Sequence, residues 1–158
     1  MKASPKRLGE ILIEKGLINN AQLEEALNEQ RETGEFLGNI LVNKGWINKA
    51  NLSEGLAIQF GIPLIKLKDQ KINMEMVHSF SSSLISDYQC FPISEDEESV
   101  TVAIINPLNA LAISKIEEAV KPRKVNLVMV AEKDVKEAIE NYRQAVSEGI
   151  RNLLKKDK

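Results

Sequence analysis

A single histidine, His78, and a single cysteine, Cys90, leave this sequence nearly without the side chains that carry most protein chemistry. Metal sites built on histidine pairs have no second imidazole, and His78 is expected to be a partly exposed helix residue. One cysteine cannot build a disulfide framework. Lying between Gln89 and Phe91 ahead of a proline, it reads as a buried strand residue in a reducing compartment. Charge of one sign is also lacking: 21 Lys and Arg stand against 23 Asp and Glu. Such a chain has no general field for holding nucleic acid or an anionic membrane, so an anionic ligand must be held by locally placed donors. The opening "MKASPKRLGE" has no apolar signal core, and no run approaches the ~20 residues of a membrane span. The expectation is a cytosolic protein that is not membrane-embedded. No GxxxxGK[ST] loop is present, so the chain is not itself a P-loop ATPase. The run Glu95-Asp96-Glu97-Glu98 reads as a solvated turn before it reads as a cation site. No enzyme, metal or cofactor is expected.

What the sequence does have is a sentence said twice. "RLGEILIEKGLINNAQLEEALNEQ" at 7–30 returns at 36–59 as "FLGNILVNKGWINKANLSEGLAIQ", offset by 29, with 13 of 24 positions identical. Two such units side by side either build one core together or grip something that itself has two halves. Each copy has the grammar of a helix–turn–helix. Ser4-Pro5 is placed to start the first helix, a capping hydroxyl followed by proline, and Gly16 to end it in a left-handed cap. Asn19 then caps a second helix carrying Leu23, Ala26, Leu27 and Gln30 on one side. In the second copy a helix over about 36–44 stops at Gly45, and Asn48 caps another carrying Leu52, Leu56 and Gln59. "RETGE" at 31–35 is the polar joint.

After Gly61 the grammar changes. "IPLIKL" at 62–67 is β-like, "NMEMVHSFSSSLIS" a short helix and loop, and "CFPIS" leads to a hairpin-like "EDEES". "VTVAII" at 100–105 is the clearest strand, ended by Asn106-Pro107; a helix, the strand "KVNLVMV" and a long helix over 132–156 follow. The expected fold class is α+β: a four-helix bundle over 1–61, a small α/β sandwich over 62–145 with helices on one face, and a helical extension over 146–158. The last helix carries Val135, Ile139, Tyr142, Val146, Ile150 and Leu153 in one stripe. This stripe either packs on the sheet and bundle or forms a short coiled coil beyond Tyr142, against which Gly149 counts. The final "RNLLKKDK" reads as a helix end with favourable basic charge.

Some of the repeated residues are costly where they stand. Gly9 and Gly38 fall in the first turns of helices, where glycine costs ~1 kcal/mol relative to alanine. Either tight helix–helix packing or the close approach of a ligand explains a glycine kept twice. Beside Gly9 stands Arg7, with a planar fork of donors, and one helix later Gln30, whose amide both donates and accepts. With leucines as an apolar platform, this set suits a purine: a flat face on Leu, an O6/N7 edge for Arg, polar edges for Gln.

At these residues the sequence resembles the N-terminal domain of type II secretion and type IV pilus assembly ATPases, in the cyclic-di-GMP-binding form called MshEN. Arg7-Leu8-Gly9, Leu12-Ile13, Gly16, Leu17-Ile18, Leu23, Leu27 and Gln30 match every specified position of that family's motif. After a five-residue spacer, Leu37-Gly38, Leu41-Val42, Gly45, Ile47, Leu52, Leu56 and Gln59 match in the second copy. The segments from "FGIPLIKL" to "VAEKDVKEAIENYRQ" also look like the α/β half of these domains. The resemblance implies a non-enzymatic cyclic-di-GMP receptor, one guanine half on each copy. Arg7 and Gln30 would bond one base and Gln59 the other. Leu8, Leu12, Leu23, Leu27, Leu37, Leu41, Leu52 and Leu56 would supply apolar contact, and Gly9, Gly16 and Gly38 complete the site. Two departures stand out: Phe36 replaces the motif's opening arginine, and Trp46 an aliphatic. Asn106-Pro107 also stands where related domains often have Asp-Pro. An alternative is a protein–protein docking domain of a secretion or pilus system, with Phe36 and Trp46 as partner anchors. A helix–turn–helix DNA binder is disfavoured by the near-neutral charge and by "NNAQLEEALNEQ", which has no basic face.

Overall fold

The computed structural model describes residues 3–156, with the side chain of residue 156 left aside. The last two residues of the "RNLLKKDK" stretch therefore lie outside the described residues. Within them the chain has eight α-helices and a three-stranded sheet. It divides into two compact units, 1–64 and 65–158.

The first unit is built from α1 (Leu8–Glu14), α2 (Asn20–Thr33), α3 (Leu37–Asn43) and α4 (Lys49–Phe60). The sequence repeat is a repeat of backbone chemistry. Gly16 has φ 72° and Gly45 φ 75°. Each closes its helix with the same pair of bonds: Gly16 N–H to Ile13 O and Leu17 N–H to Leu12 O at 2.9 and 3.0 Å, Gly45 N–H to Val42 O and Trp46 N–H to Leu41 O at 2.9 and 3.1 Å. This is the Schellman arrangement, which needs a left-handed residue and so favours glycine. Asn19 and Asn48 then accept from the N–H groups of Gln22 and Asn51, both at 2.8 Å, and each of those side chains accepts in return from the cap's own N–H. These are reciprocal capping boxes.

The copies interlock. The main neighbour of α1 is α4, and that of α2 is α3. Ile11 and Ile40, Leu12 and Leu41, and Ile18 and Ile47 form the matched core pairs, all buried. One start differs from expectation. The first helix begins at Leu8, with Arg7 as its extended N-cap. Ser4 Oγ instead accepts from Lys6 N–H, a local turn, while Ser4 N–H donates to Ile58 O. The joint at 31–35 is also shorter than expected, because α2 runs into it as far as Thr33 and ends at Gly34, φ 74°.

The second unit opens with an extended segment that contributes one backbone bond, Ile65 N–H to Met129 O at 2.9 Å, and no full strand. "IPLIKL" has β composition, but the chain turns into a 3-10 turn at Leu67–Asp69 before a ladder can form. Helices α5 (Met74–Ser79) and α6 (Ser82–Tyr88) follow, then β1 (Phe91–Glu95), β2 (Ser99–Ile104), α7 (Ala110–Val120), β3 (Lys124–Met129) and α8 (Glu132–Lys156). The sheet order is β1-β2-β3, β1 antiparallel and β3 parallel to β2. Ala103, Val128 and Val130 meet Val77, Ile85, Val135, Ile139 and Tyr142 on one face. Val100, Val102 and Met129 alternate to the opposite side, where the buried Ala112, Ile116 and Val120 of the crossover helix α7 pack. Helices therefore cover both faces and not one, because a parallel pair requires a crossover and the crossover occupies a face of its own.

Asp96 turns the β1–β2 hairpin by accepting from Glu98 N–H, Ser99 N–H and Ser99 Oγ. The first two bonds hold its pKa below the ordinary carboxylate value. The acidic run is a turn, and among the described residues no cluster of His, Cys, Asp and Glu could hold a metal ion. His78 is exposed in α5, its ring centroid 5.3 Å from that of Tyr142. No helix among the described residues is long and apolar enough to cross a membrane.

Candidate functional site

Arg7 and Phe36 occupy one place in two copies. Each is the extended N-cap of its helix, and each carbonyl accepts the first helical bond at 3.1 Å, from Ile11 and Ile40 respectively. Arg7 is exposed and its donors are committed to no partner among the described residues. Phe36 is 52% exposed, a large ring left in water. The Gln30 side chain, half-buried near the end of α2, donates to Glu35 O at 3.2 Å and so ties the first copy to the start of the second. Gln59, its counterpart on α4, is half-buried too.

The predicted site residues separate by accessibility. Leu23, Leu27, Leu37 and Leu52 are half-buried and still present surface. Leu12 and Leu41 are fully buried, and Leu8 and Leu56 nearly so at 7% and 5%. Gly9 and Gly38 are buried against leucines of the partner helix within their own copies, Leu23 and Leu52. Gly16 is an exposed turn residue with open space where a Cβ would go, so its visible role is its left-handed φ. The structure thus brings Arg7, Gln30 and the half-buried leucines to the surface of the first unit, and makes Leu8, Leu12, Leu41 and Leu56 part of its core.

Pattern reading passed over the residues beside the two caps. At the offset of 29, Lys6 corresponds to Glu35 and Glu10 to Asn39. Lys6 Nζ pairs with Glu14. Glu35 Oε1 accepts from Asn39 Nδ2 at 3.1 Å and from Phe36 N–H at 2.8 Å. The Asn39 bond, and after it the Phe36 bond, hold the Glu35 pKa below the ordinary carboxylate value. The signal was available in the positions where the copies disagree. Elsewhere Lys44 lies with its Nζ 5.2 Å from the Trp46 ring centroid and pairs with Glu29 and Glu25, which raise its pKa. Trp46 is half-buried.

The MshEN domain model matches residues 60–149. The type IV pilus assembly ATPase PilB of Myxococcus xanthus is 30% identical over 136 residues, 86% of this chain and 24% of PilB. PilB of Thermus thermophilus is 31% identical over 115 residues, 72% of this chain and 13% of that protein. The chain therefore spans a quarter or less of the length of these curated relatives. A solved structure of MshE with cdg (cyclic-di-GMP) superposes with a TM-score of 0.78 at 27% identity, covering 87% of this chain and 99% of that one. The N-terminal domain of XpsE shares the fold, with a TM-score of 0.66 at 20% identity over 89% of this chain and 96% of that one. The MshE match extends beyond 60–149 into the helical repeat. By the domain match over most of its length, the chain belongs to the MshEN domain family.

Proposed function

We propose that this chain is a non-enzymatic receptor module for a cyclic dinucleotide of the cyclic-di-GMP type, with each base held against one copy of the repeat. The observation that carries the reading is Arg7, an exposed guanidinium without a partner among the described residues, fixed at a helix cap within a fold that matches MshE with cdg. A fork of donors is suited to the O6/N7 edge of guanine. Gln30 and Gln59 supply polar contact, and the half-buried Leu23, Leu27, Leu37 and Leu52 supply the apolar platform. Leu8, Leu12, Leu41 and Leu56, with Gly9, Gly16 and Gly38, set the spacing of the helices that present them. In a longer ATPase or beside a separate effector in the cytoplasm, such a module would report ligand to a pilus or secretion machine.

Calorimetric titration tests the reading. Cyclic-di-GMP is expected to bind one to one, with GTP and cyclic-di-AMP far weaker. Arg7→Ala should lose roughly 5- to 150-fold in affinity, the equivalent of ~1–3 kcal/mol for a bidentate guanine contact. Unchanged affinity in that variant would remove Arg7 from the site. A docking module without nucleotide is the second reading, favoured by the exposed Phe36 ring. No heat from any nucleotide would bring it forward.

A further inference from the structure

We propose that the free end of α8 binds the surface of an anionic lipid bilayer, lying among the headgroups without crossing the membrane. Every residue from Ser147 to Lys155 is exposed, so these turns stand clear of the core of the second unit. Among them Ile150, Leu153 and Leu154 leave more than half of their surface in water. Val146, packed against the core, continues the row back into the unit. At about 100° per residue, Val146, Ile150, Leu153 and Leu154 fall within an arc of about 100°. Arg151 and Lys155 follow on one side of that arc, and neither is in an ion pair among the described residues. Glu148, the only acidic residue between 143 and 155, stands about 170° round from the centre of the arc.

The charge of the chain is segregated to match. The last 16 residues hold five of its 21 Lys and Arg but only two of its 23 Asp and Glu. That is a local excess of three positive charges on a chain of net charge −2. An anionic surface therefore attracts this end and repels the remainder. The apolar row enters the headgroup layer, and the long stems of Arg151 and Lys155 hold their charges at the level of the phosphates. Glu148 is left facing water. A second copy of the chain is a poorer occupant. Three exposed apolar side chains fall far short of the ~800 Å² per partner that a stable protein interface buries. A bilayer sets no such threshold, because binding grows with each apolar side chain buried and each cation brought to an anionic headgroup.

The proposal stands independently of the nucleotide reading. Co-sedimentation of the full chain with phosphatidylcholine vesicles, with and without phosphatidylglycerol, tests it. The expected result is binding to the anionic vesicles that weakens as salt is raised, and little binding to the neutral ones. A charge variant, Arg151→Glu with Lys155→Glu, should lower partitioning onto the anionic vesicles at least about tenfold. An apolar variant, Leu153→Ser with Leu154→Ser, should lower it by a similar factor. All four positions are exposed, so unchanged thermal unfolding serves as the control for fold. No sedimentation with anionic vesicles, or equal sedimentation of the native chain and both variants, would overturn the proposal. Self-association of the native chain that the apolar variant loses, with no vesicle binding, would overturn it in favour of a second copy.

Discussion

A Cβ built on Gly9 would lie 2.5 Å from Cδ1 of Leu23. The same contact recurs between Gly38 and Leu52 at 2.4 Å. Real Cβ atoms do not approach so closely, so α1 meets α2, and α3 meets α4, through bare backbone. Gly9→Ala is therefore expected to cost about 1 kcal/mol, an overpacking strain of ~1–3 kcal/mol partly offset by the better helix propensity of alanine. In a Leu23→Ala background the clash is gone and the same substitution should stabilise. Urea unfolding of the four proteins of this cycle gives the sign. A stabilising Gly9→Ala with Leu23 intact would show that packing does not explain the glycine.

Much of this was legible because the punctuation is chemical. Gly16, Gly45, Asn19 and Asn48 each satisfy backbone groups that a helix end leaves open, and those demands are local enough to read from residue order. The Ser4-Pro5 start failed for the same reason it was attractive. It satisfies a local rule, but Arg7 takes the cap and Ser4 forms a turn of its own. "IPLIKL" failed because a strand needs a partner along its length, and composition does not reveal that pairing here stops at a single bridge. Among the candidate site residues, periodicity could not separate Leu12 and Leu41, fully buried, from Leu23 and Leu27, which keep surface. All four are leucines on inward faces, and which is sealed depends on how the two copies interlock.

Two glycines should answer substitution with opposite signs. Gly16 has φ +72°, where an L side chain crowds its own carbonyl. Gly16→Ala is expected to lower stability by about 1–2 kcal/mol despite the open space around it. Gly149 lies inside α8 with nothing within 4 Å of a built Cβ and no positive φ. Gly149→Ala should raise helix content in circular dichroism, by the propensity difference of ~1 kcal/mol. Equal behaviour of the two variants would contradict the conformational argument.

Cys90 carries a pH signature. It is fully buried, its Sγ 3.5 Å from Leu84 O, and burial pushes its pKa from the ordinary thiol range up to about 11. The folded state holds a proton that the unfolded chain releases near pH 9, so the unfolded state binds fewer protons above that point and stability falls as pH rises. The contribution is complete below about pH 9 and is lost between there and about pH 11. Denaturant midpoints measured from about pH 7 to about pH 11 should therefore fall less steeply above about pH 9 in Cys90→Ala than in the native chain. The thiol should also resist alkylation in the native state at neutral pH and react on unfolding. Rapid native-state labelling would mean the site opens readily.

The apolar stripe of α8 changes character along its length. Val135, Ile139 and Tyr142 are buried in the core of the second unit and Val146 is packed against it, whereas Ile150, Leu153 and Leu154 are 54%, 65% and 63% exposed. The same periodicity thus runs through residues that hold the unit together and residues that do not. Ile139→Ala removes a side chain from a close-packed core and is expected to cost about 2–5 kcal/mol. Leu153→Ala should change stability by less than about 0.5 kcal/mol, the range of surface positions. Both are read as shifts in urea midpoint on the isolated chain at low concentration. A loss of more than about 1 kcal/mol in Leu153→Ala, growing with protein concentration, would show that the exposed stripe is covered by a second copy in solution, because only association makes stability depend on concentration.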